Sequence, residues 1–257
     1  MTYFQALFLG IVQGLTEFLP VSSSGHLELI QILFGLENLE QYLFFTIVCH
    51  MGTLLAILIV FYKEIANITK KQLIQIAIGT LPLFPLTLFF KEIKAFFNAP
   101  AYLGTFFMIT SLLLFLAVRF GWEKSERERR RFCFLDPLVI GLFQALALFP
   151  GISRSGSTIS GARLLGWPPS QAVSFSFLLA IPAICGSMAL EGLHIITEGA
   201  AAKLALGHYF LGFSASFLVG WQALVLLIRL ASKNKFMYFV WYCLLLGLWT
   251  HFFFNYG

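Results

Sequence analysis

The sequence predicts an all-α polytopic membrane protein with an inverted-topology repeat, in which each half is a re-entrant helical hairpin plus three transmembrane helices. The composition, a series of apolar runs and an internal repeat support this fold class. Of the 257 residues, 59% are hydrophobic and 11% are charged, against roughly 45–50% apolar and about 25% charged residues in soluble proteins. Lipid accepts the 30 Phe residues on the outer surface of a helical bundle, whereas one core of this size cannot bury them all. This composition excludes a soluble enzyme.

Six apolar runs are long enough to cross a hydrocarbon core of about 30 Å, which takes about 20 helical residues. They cover residues 41–62, 72–90, 100–120, 170–190, 205–228 and 236–254. Two shorter apolar stretches stop at Pro20 and Pro150, and each is followed by a Ser- and Gly-rich turn and a second short apolar piece. We predict that these stretches, 3–35 and 137–166, are re-entrant hairpins that enter and leave the membrane by the same face.

An internal repeat relates the two halves of the chain. With a shift of 131 residues, seven of the 16 positions between 10 and 25 match without a gap. The matching residues in the first half are Gly10, Gln13, Leu15, Phe18, Ser22, Ser24 and Gly25. They align, in the same order, with Gly141, Gln144, Leu146, Phe149, Ser153, Ser155 and Gly156. One membrane domain, 1–257, is therefore divided into repeat one (1–120), a linker (121–136) and repeat two (137–257). An odd number of spans inverts the second copy, and the two Ser- and Gly-rich turns are expected to meet near the membrane midplane.

The distribution of basic residues predicts the orientation, because cytoplasmic loops carry the excess of Lys and Arg. Twelve of the 17 Lys and Arg residues fall in alternate loops between the predicted spans. This pattern places the linker 121–136 in the cytoplasm and both termini outside. Since the basic residues follow the segment ends and are not gathered on one face, the net charge of +5 predicts no nucleic-acid partner.

Polar residues within the hairpins are the candidate functional residues, because ionisable groups inside membrane segments are rare and costly. In the first hairpin, Gln13 and Glu17 are four residues apart and share one helix face. The turn after Pro20 supplies hydroxyl groups, backbone N–H groups and an imidazole, in the order Ser22, Ser23, Ser24, Gly25 and His26. The other histidines, by contrast, have no polar companions at useful spacing, which indicates core or interfacial positions for His50, His194, His208 and His251.

The second hairpin has the composition of an anion-binding turn. Arg154 lies among small hydroxyl residues just before a predicted helix start, where free N–H groups and a bidentate cation can bind an anion. We expect this anion to be bound by Ser153, Arg154, Ser155, Gly156 and Thr158, with Ser24 and Gly25 of the first hairpin. The alternative is that Arg154 pairs with Glu17 as a structural contact between the hairpins.

Both segments resemble the signature motifs of a known family. Gln13-x-x-x-Glu17 followed by Pro20-x-Ser-Ser-Ser-Gly-His26, and Pro150-Gly-x-Ser-Arg154-Ser-x-x-Thr158, are similar to the two motifs of the bacterial undecaprenyl pyrophosphate phosphatase family of the bacitracin-resistance type. The stretch Gly52-Thr-Leu-Leu-Ala56 also resembles this family. The resemblance implies a plasma-membrane hydrolase that converts the C55 isoprenoid pyrophosphate to the monophosphate on the external side. It also implies recycling of the carrier lipid for peptidoglycan and other envelope polymers, and bacitracin resistance.

By position, the resemblance implies catalytic roles for Glu17, His26, Arg154, Ser22 and Ser23. It further implies a divalent cation, Mg²⁺ or Ca²⁺, held by Glu17 with Gln13. Two residues depart from the family pattern: Gln13 occupies a place that other members often fill with Glu, and Thr46 a place where relatives commonly carry an acid. The nucleophile is left open among His26, a Ser of the first hairpin (Ser22 or Ser23) and a water that Glu17 would orient.

A transporter is the alternative from a different class, because two oppositely inserted hairpins also occur in alternating-access carriers. Such a protein would flip the prenyl monophosphate, with or without hydrolysis. The presence of His26 and Glu17 beside the anion-binding turn favours an enzyme, since a carrier needs no proton-transfer group. The expected partners are a prenyl pyrophosphate lipid and the bilayer, and a homodimer is left open.

Overall fold

The computed structural model describes residues 1–36, 39–88, 100–122, 134–198 and 204–256, and in these ranges it contains helices and no strand. The helices are α1 (Tyr3–Phe18), α2 (Ser23–Leu33), α3 (Leu43–Val60), α4 (Tyr62–Ala66), α5 (Lys70–Thr80), α6 (Leu83–Leu88), α7 (Leu103–Phe120), α8 (Leu135–Leu146), α9 (Arg154–Leu164), α10 (Pro169–Glu198), α11 (Leu206–Ser232) and α12 (Met237–Tyr256). Short 3-10 turns at Leu39–Tyr42 and Pro100–Tyr102 precede α3 and α7. The predicted all-α fold is confirmed.

Within the described residues, five helices are long and apolar enough to cross a membrane. They are Leu43–Val60, Pro100–Phe120, Pro169–Thr197, Leu206–Ser232 and Met237–Tyr256, and they coincide with five of the six predicted spans. In the sixth, 72–90, the chain forms α5 and α6 on either side of a turn at Leu81 and Pro82. Proline has no amide hydrogen and clashes with the preceding helical turn, which accounts for the interruption. Residues 89 and 90 of this span, and residues 123–133 of the predicted linker, lie outside the described residues.

The two predicted hairpins are helix–turn–helix units, since α1 packs on α2 and α8 packs on α9. Their helices have 16, 11, 12 and 11 residues. At about 1.5 Å per residue, even the longest of them is only about 24 Å, less than the hydrocarbon thickness of about 30 Å. Helices of this length agree with re-entrant segments; that each hairpin enters and leaves by one face stays a prediction.

Helix packing follows the internal repeat. The helices α2 and α9 begin and end 131 residues apart. The first hairpin helix, α1, packs against α11 in the other half, and its counterpart α8 packs against α5. Each half therefore places its hairpin against the middle segment of the other half. The opposite orientation of the two halves in the membrane stays a prediction.

Close packing of α1 on α11 fixes the position of the polar residues on α1. A Cβ atom at Gly14 would lie 2.7 Å from the carbonyl oxygen of Ser216 and 2.8 Å from the amide nitrogen of Gly220. The two backbones can approach this closely only because small residues face each other. Gln13 and Glu17, on either side of Gly14, are thereby held at the centre of the bundle.

The apolar side chains divide between a core and an outer surface. Phe18, Phe177, Leu179, Leu224 and Leu227 are fully buried and join α1, α10 and α11. Large apolar side chains are also exposed around the bundle, among them Phe4, Leu206, Phe210, Leu245 and Phe252. An exposed apolar surface of this extent is typical of a protein solvated by lipid.

Candidate active site

An ion pair between a buried carboxylate and a partly buried guanidinium joins the two hairpins. Arg154, the first residue of α9, donates from Nη2 to Oε1 of Glu17, in the last turn of α1, at 2.7 Å. The side chains of Arg154 and Glu17 are 17% and 5% exposed. Removing two charges from water is costly unless the geometry is good and further hydrogen bonds satisfy the remaining oxygen atoms. The surroundings of Glu17 meet this condition.

The second carboxylate oxygen of Glu17, Oε2, accepts two hydrogen bonds from the first hairpin. Ser23 Oγ donates at 2.6 Å and Gln13 Nε2 donates at 2.9 Å. Gln13 is one turn before Glu17 on α1, whereas Ser23 begins α2. Groups from three helices therefore fix the orientation of this carboxylate.

His50 on α3 also contacts this cluster, so the interpretation that it has no polar companions is wrong. Its Nδ1 lies 2.8 Å from Gln13 Nε2 and 3.7 Å from Glu17 Oε2. Because the amide nitrogen donates, Nδ1 of His50 accepts, and a neutral ring carries its proton on Nε2. A separation of 37 residues from Gln13 conceals this contact in the sequence. The available signal was its place two residues before the Gly52–Ala56 stretch.

His26 lies in a second polar group, with both ring nitrogens hydrogen-bonded. Nδ1 donates to the carbonyl oxygen of Ser22 at 2.6 Å, and Nε2 is 2.7 Å from the hydroxyl oxygen of Tyr242. His26 is buried, and Tyr242 comes from α12 in the other half. Sequence reasoning missed Tyr242, because it lies in a span rich in aromatic residues and no polar neighbour distinguishes it.

Ser22 links the two turns through a strained backbone. Its φ of 72° and ψ of 98° are uncommon for a residue other than glycine and cost free energy. Its hydroxyl accepts hydrogen bonds from the amide of Gly25 at 3.4 Å and from the amide of Gly151 in the second hairpin at 3.2 Å. A Cβ atom at Gly25 would lie 2.8 Å from the Cα of Gly151. The two Ser- and Gly-rich turns are thus in direct contact.

Ser153 is the counterpart of Ser22 in the repeat and has the same structural role. Its hydroxyl caps α9 by accepting from the amide of Gly156 at 3.0 Å, just as Ser22 caps α2. Its own amide donates to Thr110 Oγ1 at 2.9 Å, and Thr110 donates to the carbonyl of Gly151 at 2.8 Å. The repeated serines therefore define where the second helix of each hairpin begins.

The other predicted anion ligands are arranged around Arg154 with different exposures. Ser155 and Thr158 are buried; Ser155 donates to the carbonyl of Leu19 at 3.4 Å, and the Thr158 hydroxyl lies 2.6 Å from that of Ser176. Gly156 and Gly25 are buried, whereas Ser24 is exposed. The structure thus brings Gln13, Glu17, Ser23 and Arg154 together with His50. The hydroxyl groups of the other three predicted ligands form hydrogen bonds with other protein groups: Ser153, Ser155 and Thr158.

The oxygen atoms near Glu17 are candidate ligands for a divalent cation. Among the residues with described positions, no group of three or more His, Cys, Asp or Glu side chains is placed to hold a metal ion. Gln13 Oε1 is buried without a hydrogen-bond partner, next to the Glu17 carboxylate. Mg²⁺ often takes one or two carboxylates and completes its ligands with water and substrate phosphates. These donors fit a cation that is shared with a phosphate group.

The chain is similar to known proteins over nearly its whole length. A family model described as bacitracin resistance protein BacA matches residues 6–249. An undecaprenyl-diphosphatase from Protochlamydia amoebophila is 47% identical over 260 residues, which cover 99% of this chain and 100% of that protein. Undecaprenyl-diphosphatases from Carboxydothermus hydrogenoformans and Bacteroides fragilis are 43% and 38% identical and cover 96% and 97% of each chain. Both Ser- and Gly-rich turns lie within residues 6–249.

Proposed function

Because the chain belongs to the bacitracin resistance protein BacA family, we propose that it is an undecaprenyl-diphosphatase of the bacterial plasma membrane. It hydrolyses undecaprenyl pyrophosphate to undecaprenyl phosphate and phosphate, which recycles the lipid carrier for cell-wall synthesis and confers bacitracin resistance. The observation that carries this proposal is the Glu17 carboxylate, which contacts Arg154 on one oxygen and the Ser23 hydroxyl on the other. A cation for the phosphate and a proton acceptor for a nucleophile lie side by side.

Arg154 binds the terminal phosphate of the substrate. Its guanidinium is at the N-terminus of α9, where free N–H groups add to its charge. When the guanidinium turns to the phosphate, Oε1 of Glu17 loses its cationic partner and can accept a proton. Substrate binding and activation of the carboxylate are coupled in this way. Catalysis of phosphoryl transfer depends mainly on such charge neutralisation and on positioning of the reacting groups.

Among the nucleophiles left open by the sequence, Ser23 has the best support. Its hydroxyl lies 2.6 Å from Glu17 Oε2, whereas the Ser22 hydroxyl caps α2 and both ring nitrogens of His26 are hydrogen-bonded. The Ser23 proton passes to Glu17 while Oγ bonds to the terminal phosphorus, and the bond to the bridging oxygen breaks. Undecaprenyl phosphate leaves with the electron pair. After Glu17 has lost its proton to solvent, it accepts one from a water whose oxygen bonds to the phosphorus. The bond between Ser23 Oγ and phosphorus breaks, Oγ takes the proton back from Glu17, and phosphate is released.

A divalent cation, Mg²⁺ or Ca²⁺, remains part of the proposal. Gln13 Oε1 and Glu17 would hold it beside the pyrophosphate, where it would offset negative charge. Because Gln13 is neutral, Glu17 supplies the single protein charge for the cation in this pair. Gln13 itself positions Glu17 and His50 through its amide nitrogen.

The bilayer surrounds both the helical bundle and the prenyl chain of the proposed substrate. The exposed apolar side chains around the bundle offer a surface for the long prenyl chain. The distribution of Lys and Arg in the sequence supports external termini and a cytoplasmic linker. With that orientation we place the opening of the site on the external side. A homodimer would leave this chemistry unchanged, because the residues that carry it belong to one chain.

Phosphate release by the purified protein in detergent micelles tests the function. Lipid flipping has no meaning without a bilayer, so the assay separates hydrolysis from transport. We expect the protein to release one phosphate from each undecaprenyl pyrophosphate and to leave undecaprenyl phosphate. A folded protein that binds this lipid and releases no phosphate, with Mg²⁺ or Ca²⁺ supplied, would contradict the proposal and favour a carrier.

Removing the His50 imidazole is expected to lower kcat/KM by about tenfold, because the Gln13 amide loses its acceptor and no longer holds Glu17 in one orientation. The variant is His50→Ala, and phosphate release in detergent is the measurement. His208→Ala is the matched control, since His208 stacks on Tyr3 with ring centroids 4.1 Å apart and contacts no residue of the site. Equal kcat/KM in the two variants would show that the contact between His50 and Gln13 makes no contribution to catalysis.

A further inference from the structure

The hydrogen bonds of His26 determine where its ring can exchange a proton. The carbonyl oxygen of Ser22 can only accept, so Nδ1 of His26 carries a hydrogen in this contact of 2.6 Å. In the neutral ring, Nε2 therefore keeps a lone pair. The group that faces this lone pair is the Tyr242 hydroxyl, at 2.7 Å, which donates to it.

Tyr242 also holds the His26 ring by packing. The two rings are stacked, with centroids 5.7 Å apart and an interplanar angle of 7°. Phe107 also contacts the imidazole in a T-shaped arrangement, with ring centroids 5.1 Å apart and an interplanar angle of 75°. Rotation of the imidazole would therefore disturb two aromatic contacts and the hydrogen bond.

The position of Tyr242 is itself fixed by contacts between α12 and its neighbours. Ser111 Oγ on α7 donates to the carbonyl of Val240 at 2.8 Å, and Cys243 Sγ lies 3.7 Å from the carbonyl oxygen of Pro20 in the first turn. Tyr242 is 45% exposed, whereas His26 is 6% exposed. The phenol therefore stands between the imidazole and the outer surface of the bundle.

We propose that Tyr242 is a positioning residue of the active site, which holds the His26 ring with the Nε2 lone pair directed at the phenol hydroxyl, in the tautomer that the Ser22 carbonyl fixes. For its kinetic consequence the inference rests on the proposed function, together with the catalytic role that the family resemblance implies for His26. Because Nδ1 is committed to a backbone carbonyl, any proton that His26 takes up or releases passes through Nε2. Tyr242 thus sets the direction of this nitrogen through the hydroxyl that donates to it. No motif contains Tyr242, which comes to the first hairpin from the last helix of the chain.

Tyr242→Phe tests the inference, because it removes the hydroxyl and keeps the stacked ring. We expect kcat for phosphate release to fall by about tenfold, the effect of one hydrogen bond, with KM within about twofold. Tyr238→Phe is the matched control, since Tyr238 lies one turn earlier on α12 and is exposed. It should leave both constants unchanged. An unchanged kcat in Tyr242→Phe would overturn the inference.

A ¹⁵N NMR spectrum of His-labelled protein provides a readout that is independent of activity. His26→Gln identifies the ring resonances of His26 by their loss. In Tyr242→Phe, the Nε2 resonance is expected to move downfield, toward that of a nitrogen without a donor, while Tyr238→Phe leaves it in place. An unmoved Nε2 resonance would also overturn the inference. If the wild-type protein releases no phosphate, the proposed function fails, whereas this resonance still decides whether Tyr242 holds His26.

Discussion

Arg154→Ala is expected to lower kcat/KM for phosphate release from undecaprenyl pyrophosphate by about 10³- to 10⁵-fold, the range known for arginines that stabilise phosphoryl transfer. The guanidinium is the one cationic side chain that contacts Glu17 within hydrogen-bond distance in the described residues. Without it, charge on the transferring phosphoryl group loses its partner. Phosphate release by purified protein in detergent measures the effect.

Loss of Arg154 affects the stability of the protein as well as catalysis, so the two effects must be measured separately. Arg154→Ala leaves Glu17 buried and unpaired, which costs about 3–5 kcal/mol when a buried pair loses one partner. The double variant Arg154→Ala/Glu17→Gln removes this buried charge and should regain thermal stability without activity. Arg229→Ala, at an exposed position on α11, is the control for loss of a cation. If Arg154→Ala were about as active as Arg229→Ala, Arg154 would have no catalytic role.

Glu17→Gln is expected to lower kcat by about 10²- to 10⁴-fold, the usual contribution of a positioned general base. The amide keeps the size of the side chain and can still accept from Ser23 or Arg154, but it cannot take a proton at neutral pH. KM should change less than kcat, because Arg154 remains to bind phosphate. Single-turnover phosphate release would locate the loss in the chemical step.

Glu64→Gln serves as the matched control for Glu17→Gln. Glu64 is exposed in the short helix α4, and its loss should leave kcat unchanged. A kcat for Glu17→Gln within tenfold of this control would mean that another group accepts the proton. It would also leave the hydrogen bond between Ser23 and Glu17 without a catalytic role.

The sequence predicts the contact between the two hairpins, because equivalent turns of an inverted repeat are expected to meet near the membrane midplane. Ser22 and Ser153 match under the shift, and each caps the second helix of its hairpin through the amide three residues on. The pairing of Glu17 with Arg154, weighed only as an alternative to an anion site, is present in the structure. The anion site stays a prediction, and it is compatible with this ion pair, because a partly buried guanidinium needs a partner while no phosphate is bound.

Residues outside the hairpins could not be assigned from the sequence, because their roles depend on helix packing. His50 and Tyr242 reach the site from α3 and α12, and their partners are 37 and 216 residues away in the chain. Each lies in a segment whose pattern indicates only a span. Similarly, the interruption at Pro82 in 72–90 cannot be read from hydropathy, which reports apolar length and not helix continuity.

In the proposed mechanism Glu17 and Arg154, from opposite halves of the repeat, act as one catalytic unit. A double-mutant cycle on kcat/KM with Glu17→Asp and Arg154→Lys tests it most directly, because these mild changes keep the charges and leave measurable activity. Residues that act as a unit show strongly non-additive losses. We predict that kcat/KM of the double variant is at most about threefold lower than that of the less active single variant. A double variant whose loss equals the product of the two single losses would contradict the claim.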